Sequence, residues 1–224
     1  MVATPIGNLK DMTLRAIDTL KAADRILCED TRRAAILLKA YEIHTATTSF
    51  HSYTTPTKRA RLLDQLRTGQ HFALISDAGL PGISDPGAAF IRDAIGLGIP
   101  VSVIPGASAS LMGLILSGFP TDRFVFEGFL PIKSGARRNR LKVLKAGEPT
   151  AILYESPHRL LKTLADIHAV YGDIPISCSR ELTKLFEETR REPVSRLSEH
   201  FRHHPPKGEF VLVIPPGRLR RHGE

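Results

Sequence analysis

Three segments of the chain carry glycine and small polar residues where backbone N–H groups could approach a ligand: Ala3-Thr4-Pro5-Ile6-Gly7-Asn8, Ser76-Asp77-Ala78-Gly79-Leu80-Pro81-Gly82-Ile83-Ser84-Asp85-Pro86-Gly87, and Ile104-Pro105-Gly106-Ala107-Ser108-Ala109. Backbone comes closest to a ligand where no Cβ intervenes. Each segment is read as following a strand in the first half and preceding a helix, which in an open α/β sheet is the ligand edge. Singly, each is a tight βα turn; together, on one edge, they favour a binding site. Asp77 and Asp85 suit hydroxyls or an amine and would repel phosphate, so the expected ligand is a nucleoside or amino acid rather than a triphosphate. Neither the dinucleotide fingerprint G-x-G-x-x-G nor the P-loop G-x-x-x-x-G-K-[ST] occurs, which removes the standard nucleotide sites.

The second half adds two polar clusters at predicted strand ends, Tyr154-Glu155-Ser156-Pro157-His158-Arg159 and Ser179-Arg180-Glu181-Leu182-Thr183-Lys184. Glu155, His158, Glu181 and Lys184 are candidates for acid–base work. The competing reading is that Ser156 and Pro157 start a helix and the charges are solvated or paired. Lys133, Arg137, Arg138, Arg140, Lys142 and Lys145 form a basic tract without an acidic interruption. It reads as a phosphate-contacting surface or as a solvated helix face. The balance of 31 basic against 23 acidic residues, a net charge of +8, favours a polyanionic partner. Tryptophan is absent and aromatics are 6% of the chain, so backbone contacts, not base stacking, are expected to carry most of the affinity. Cys28 and Cys178 lie in short apolar runs and read as packing thiols of a reducing compartment. His203 and His204 have no zinc spacing, and no metal is expected.

The elements that must position these residues follow from alternation. Apolar runs of strand length recur at ADRILCE, HFALIS, PVSVIP, FVFEGFL, TAILYE, PISCSR and EFVLVIP, most of them separated by segments of helical spacing. That order predicts an α/β protein with largely parallel sheets. Thr13 caps a helix carrying Leu14, Ile17 and Leu20; Pro56 opens another that ends before Gly69; Pro86-Gly87 opens a third before Gly96 and Gly98. A turn-forming cluster after Ser117 marks the expected boundary between α/β domains 1–117 and 118–215, followed by a basic tail over 216–224. A ligand cleft is expected between the two domains. The longest apolar stretch, near Leu111 to Leu116, is too short and glycine-interrupted to cross a bilayer, and the N-terminus carries no secretory signal.

TPIGNLKD, CEDTR at 28–32, SDAGLPGISDPG at 76–87, PGASAS at 105–110, GFLP at 128–131, YESPHR at 154–159, RELTK at 180–184 and KGEFVLVI at 207–214 resemble the ribosomal RNA small subunit methyltransferase I family, of the tetrapyrrole methylase superfamily. The resemblance runs over nearly the whole chain. It implies two α/β domains, S-adenosylmethionine in the cleft, and methyl transfer to the ribose 2′-oxygen of a cytidine in small-subunit (16S) ribosomal RNA. By motif, it places Pro5, Ile6, Gly7, Asp77, Ala78, Gly79, Leu80, Ser108, Ala109, Tyr154 and Leu182 at the cofactor. Arg32, Lys133, Arg137, Arg138 and Arg140 are the expected RNA contacts. Glu155 or His158 is the expected proton acceptor, and Lys184 or Arg180 the group that stabilises the alkoxide. A homodimer in the cytoplasm is also implied. Leu80 and Gly82 stand where the family has Thr and Leu, Ala107 where it has Pro, and Phe186 where it has His. The sequence starts almost inside its first strand and stops near Arg221, short of a C-terminal helical module that many members carry. The alternatives are a tetrapyrrole (precorrin-type) C-methyltransferase on the same fold and a non-catalytic RNA-binding assembly factor.

Overall fold

Short apolar strands and capped helices alternate through the chain and build the expected α/β architecture. The computed structural model describes residues 1–83 and 87–217. Ser84, Asp85, Pro86 and most of the predicted basic tail lie outside the described residues. The chain divides into two units, Met1–Ser108 and Ala109–Glu224.

In the first unit the order is α1 (Leu14–Ala22), β1 (Arg25–Cys28), α2 (Thr31–Ala40), β2 (Thr47–Ser49), α3 (Pro56–Arg67), β3 (Phe72–Leu74) and α4 (Gly87–Gly96). Thr13 Oγ1 accepts from Ala16 N at 3.1 Å and Thr55 Oγ1 from Lys58 N at 3.3 Å. Each cap satisfies an orphan donor and is worth about 1 kcal/mol. The strands form a parallel sheet in the order β2-β1-β3. Alternation along β1 sends Ile26 and Cys28 into one buried cluster with Leu20, Leu38 and Ala73. Leu27 goes to the opposite cluster with Phe50, Leu62, Leu74 and Phe90. Both faces are therefore covered, as a parallel sheet requires. Complete burial of Leu27 contributes about 2 kcal/mol. The predicted strand PVSVIP reduces to a single parallel bridge between Ile104 and Val2, and its Val101 and Val103 are exposed.

The second unit holds α5 (Ala109–Ser117), β4 (Phe124–Phe129), α6 (Ser134–Gly147), β5 (Thr150–Glu155), α7 (Leu160–Tyr171), β6 (Pro175–Arg180), β7 (Glu188–Pro193), α8 (Val194–His203) and β8 (Phe210–Ile214). α5 packs on β5, β6, β7 and β8. A Cβ on its Gly113 would fall 2.5 Å from Val211 Cγ1, so only glycine permits this approach. The division therefore falls before α5, and the cluster after Ser117 is a turn inside the second unit. The sheet order is β4-β5-β8-β6-β7. Only β4 and β5 pair in parallel; β8 runs antiparallel to both neighbours and β7 antiparallel to β6. The expectation of largely parallel sheets is thus corrected for this half. β6 and β7 are joined by Glu181–Glu187 alone, too short for the crossover a parallel pair needs.

The core of this unit joins Leu141, Leu160, Leu164, Ile167, Leu197, Phe201, Phe210 and Leu212. One ion cluster is buried beside it. Asp166 on α7 accepts from Arg137 Nε at 2.7 Å, Arg138 Nε at 2.5 Å and Ser134 Oγ at 2.9 Å. The side chains of Arg137 and Asp166 are 4% and 3% exposed. Burial pushes the Asp166 carboxyl up, but the bonds from Arg138, Ser134 and Arg137 outweigh it and hold the group below the ordinary aspartate range. A depressed folded value means that the stabilisation is fully present above the unfolded value near 4 and is lost as pH falls toward the folded one. Asp166→Asn leaves Arg137 uncompensated and is expected to cost about 3 kcal/mol at neutral pH. Urea unfolding should show that gap narrowing steadily below pH 4; a gap independent of pH would refute the assignment.

Candidate active site

Backbone hydrogen bonds bring the three glycine loops of the first unit together. Thr4 and Gly79 bond reciprocally, Thr4 N to Gly79 O at 2.9 Å and Gly79 N to Thr4 O at 3.1 Å. Val2 N donates to Leu74 O at 2.9 Å, Ala3 N to Ile104 O at 3.1 Å and Ile104 N to Met1 O at 2.8 Å. The buried Thr4 hydroxyl lies 3.4 Å from both Ser76 O and Gly79 O. Gly79 has φ 78°, and a Cβ there would meet Ile6 Cγ2 at 3.4 Å and Ala107 O at 3.6 Å. A Cβ on Gly106 would fall 2.8 Å from Ala3 Cβ. Gly79 supplies a left-handed conformation and Gly106 a close approach, and the Pro5-Ile6-Gly7, Asp77–Leu80 and Gly106-Ala107 segments are held side by side as a result. Ser108 ends this unit and Ala109 opens α5 of the other.

Asp77 is exposed, and Arg33 Nη1 on α2 reaches its Oδ2 at 2.9 Å. Arg33 is a residue that sequence reasoning missed; only its place beside the CEDTR motif pointed to it. The loop thus presents a carboxylate whose charge is partly offset. Asp85 lies outside the described residues. At α2, Asp30 caps the helix and takes Arg32 N at 2.8 Å and Arg32 Nη2 at 2.9 Å. The Arg32 hydrogen bonds hold its carboxyl down to about 2. A cavity of about 670 Å³ runs along β3 in the first unit, lined by His71, Phe72, Leu74, Ile91, Ile99 and Ser102 among others, with no carboxylate or lysine.

In the second unit the register does the gathering. β4, β5 and β6 point the same way, and Phe210 at the start of β8 pairs with both Glu155 and Arg180. The turns after Phe129, Glu155 and Arg180 therefore leave one edge of the sheet. His158 is exposed there, Tyr154 is half-buried against Phe126 and Phe129, and Leu182 is buried. Glu155 is 2% exposed. It accepts from Ser156 N at 2.8 Å and Thr163 Oγ1 at 2.5 Å, with Arg159 Nε 3.4 Å away. Such a carboxylate, buried and holding two donors, braces its turn.

The RELTK loop is strained and charged. Glu181 and Thr183 adopt φ 51° and 67°, a conformation costly for side-chain-bearing residues that concentrates at functional sites. Lys184 Nζ lies 2.9 Å from both Glu181 Oε1 and Glu209 Oε2. Burial pulls the Lys184 ammonium down, but bonds to Glu181 and Glu209 prevail and raise it above the usual lysine value. Lys184 is therefore a permanent cation with one N–H beyond the two engaged, suited to stabilise negative charge and unsuited to take a proton. Arg180 Nε is committed to Glu188 at 2.6 Å. Gly208, at φ 88°, lies against the Glu181 carboxylate, where a Cβ would collide; neither it nor Glu209 stood out in the sequence as a site residue.

The basic tract divides. Arg137 is buried on Asp166 and cannot reach a phosphate, so its expected role as an RNA contact is corrected. Arg138 is half-exposed with the same partner, Arg140 pairs with Glu127 at 2.6 Å, and Lys133 is exposed. Both cysteines are buried: burial, with Asp77 and Asp30 nearby, pushes Cys28 up to about 11, and burial raises Cys178 further. Neither is a nucleophile at neutral pH. Among the described residues, no His, Cys, Asp and Glu group is placed to hold a metal, and no helix is long and apolar enough to cross a membrane.

The family model Tetrapyrrole (Corrin/Porphyrin) Methylases matches residues 1–198. A ribosomal RNA small subunit methyltransferase I of Mesorhizobium japonicum is 47% identical over 98% of this chain and 76% of its own length. Namesakes are 44% identical in Bacillus subtilis, over 96% and 73%, and 43% in Thermotoga maritima, over 96% of both chains. Among solved structures, a diphthine synthase superposes with TM-score 0.78 at 16% identity over 98% of this chain and 90% of its own. The uroporphyrin-III-C-methyltransferase of Thermus thermophilus gives 0.66 at 19%, over 95% and 91%; at such identities the likeness is one of fold. With the loops gathered as above and the match running from residue 1 to 198, the chain belongs to the tetrapyrrole (corrin/porphyrin) methylase family, among its ribosomal RNA small subunit methyltransferase I members.

Proposed function

We propose that this protein transfers the methyl group of S-adenosylmethionine to the ribose 2′-oxygen of a cytidine in small-subunit ribosomal RNA. The carrying observation is the pair of backbone links, Thr4–Gly79 and Ala3–Ile104, that gathers three glycine loops into a cradle beside the acceptor Asp77. The residues present fit the cofactor. Gly79 and Gly106 let the three loops approach one another more closely than side chains would allow, and the exposed Asp77 suits an amine or ribose hydroxyls and would repel a triphosphate. Pro5, Ile6, Gly7, Ala78, Leu80, Ser108, Ala109, Tyr154 and Leu182 complete the proposed contacts. Bound there, the cofactor supplies an electrophilic methyl on a sulfonium.

The chain's own work is to orient and to handle one proton. A ribose hydroxyl is a weak nucleophile until its proton leaves or its developing charge is stabilised. His158, exposed after β5, is the proposed acceptor, and Glu155 with Arg159 holds the turn that carries it. Lys184 is the proposed partner of the developing alkoxide. Arg32, Lys133, Arg138 and Arg140 are proposed to contact RNA phosphates. The reading carries with it a cytoplasmic homodimer. A C-methyltransferase acting on a tetrapyrrole is the second reading, favoured by the fold shared with the uroporphyrin enzyme, yet relatives at 43–47% identity carry the ribosomal name.

The deciding experiment incubates the protein with labelled S-adenosylmethionine and small ribosomal subunits lacking the modification. Label should enter RNA at a cytidine whose 3′ linkage then resists alkali; label absent from RNA but present in a tetrapyrrole precursor would overturn the reading. Calorimetry should show cofactor binding, and no heat would favour a non-catalytic RNA-binding factor. Lys184→Ala and His158→Ala should each lower kcat on the order of a hundredfold with cofactor affinity unchanged. Gly106→Val, which pushes the third loop off the first, should weaken cofactor binding about tenfold or more; unchanged affinity would show that the cradle lies elsewhere.

A further inference from the structure

The turn from Phe129 to Lys133 is held more firmly than a surface connection needs. Arg159 Nη2 donates to Leu130 O at 2.6 Å, and Arg137 Nη1 donates to Pro131 O at 3.3 Å and Ile132 O at 3.0 Å. Arg137 is anchored from behind by its hydrogen-bonded pair with Asp166, and Arg159 by the Glu155 carboxylate 3.4 Å from its Nε. Turn carbonyls ordinarily face water, so two anchored arginines on three successive ones fix this turn in place. Just before it, the β4–β5 register slips between Phe126 and Gly128, and Gly128 has φ 64°. A bulge of this kind re-aims the side chain that follows. Here that side chain is Phe129.

Phe129 is 55% exposed although it is a large apolar ring at a strand end. Tyr154 meets it edge-on, with centroids 5.9 Å apart and planes at 63°, and Phe126 backs Tyr154 at 4.9 Å. The ring is thus steadied from one side and left open on another. Lys133 follows four residues on, at the start of α6, and Arg138 lies in the second turn of that helix, Lys133 exposed and Arg138 half-exposed. An open aromatic face on a rigid support with cations beside it has the make-up of a single-stranded nucleic-acid platform, in which a base stacks and the cations take flanking phosphates. The same turn also exposes Ile132, but the neighbouring cation is Lys133, a residue type depleted at protein–protein interfaces.

We propose that Phe129 is a base-stacking residue: its ring takes an unpaired RNA base while Lys133 and Arg138 contact the neighbouring phosphates, and the Arg137–Asp166 and Arg159–Glu155 pairs act as positioning residues for the turn. This rests on the RNA reading above and names the form of RNA recognised, an unstacked nucleotide rather than a continuous duplex. A base whose ribose is to be methylated must be accessible, and a flipped nucleotide provides that access.

The chain has no tryptophan, so Phe129→Trp installs a sole reporter at the platform. Titration with a short single-stranded oligoribonucleotide should quench its emission, while the same strand in duplex form should not. Phe129→Ala should weaken single-strand binding about tenfold without changing the salt slope, whereas Lys133→Ala should lower the slope by about 0.7. Bound single strand with no quenching, and full affinity in Phe129→Ala, would overturn the inference. Quenching by S-adenosylmethionine alone would also overturn it, by moving the ring to the cofactor. If the wild-type chain binds no oligoribonucleotide the platform fails, and methylation of subunits by the same preparation would show that the proposed function stands without it.

Discussion

The reciprocal backbone bonds between Thr4 and Gly79 are the constraint on which the first unit's candidate site depends. Each loop alone is a tight turn with polar backbone that water could satisfy. Bonded to one another, they spend part of their N–H and C=O groups on mutual alignment. The geometry tolerates no substitution at two points, for different reasons: Gly79 needs a positive φ, and Gly106 lies where a Cβ would strike Ala3. Local sequence and loop alignment are thus one chain of cause, since a side chain at either glycine would press on a neighbouring loop and disturb the alignment.

The second unit solves a different problem, placing charge at a sheet edge without losing it to solvent. Its carboxylates are divided by burial. Glu155 and Asp166 are sunk and fully engaged, so their function is to hold Arg159 and Arg137 against turn carbonyls. Glu181 and Glu209 are nearer the surface and keep Lys184 charged. The distinction follows from desolvation: a buried carboxylate survives only with several donors around it, and those donors then block its lone pairs. Exposed groups in the same turns, His158 and Lys133, remain open for chemistry.

Much of this was legible in the sequence, and the failures have physical causes. β1, β3, β4, β5, β6 and β8 were signalled by apolar runs, and the capped helices by Thr13 and Pro56. β7 was not, because Glu188-Thr189-Arg190-Arg191-Glu192 has no apolar alternation; it is an edge strand bound by the ladder Arg180–Glu188–Arg190–Glu192. Charged residues on an edge also discourage unwanted pairing. α5 read as the end of the first half because a turn cluster follows it, but Gly113 commits it to Val211 in the second. Arg137 looked like its basic neighbours; only the arrival of Asp166, 29 residues on, buries it. Cross-chain pairing of this kind leaves no local signature.

The strength of each ion pair decides which cations RNA could claim. Arg32 is paired with Asp30 while 90% of its side chain is exposed, and a pair of that kind is worth roughly 0–1 kcal/mol. A phosphate can displace the carboxylate at little cost. Arg140 on Glu127 and the half-exposed Arg138 are intermediate. Arg137 is the opposite case: removing its partner would cost about 3–5 kcal/mol, more than a single phosphate contact returns. Lys133 alone of the five has no carboxylate partner among the described residues. The net charge of +8 therefore overstates the cations on offer at the basic tract. What it lacks in free charge it gains in order, because the same buried pair that withdraws Arg137 from solvent fixes the turn that ends at Lys133 and ties Arg138 on α6 to Asp166.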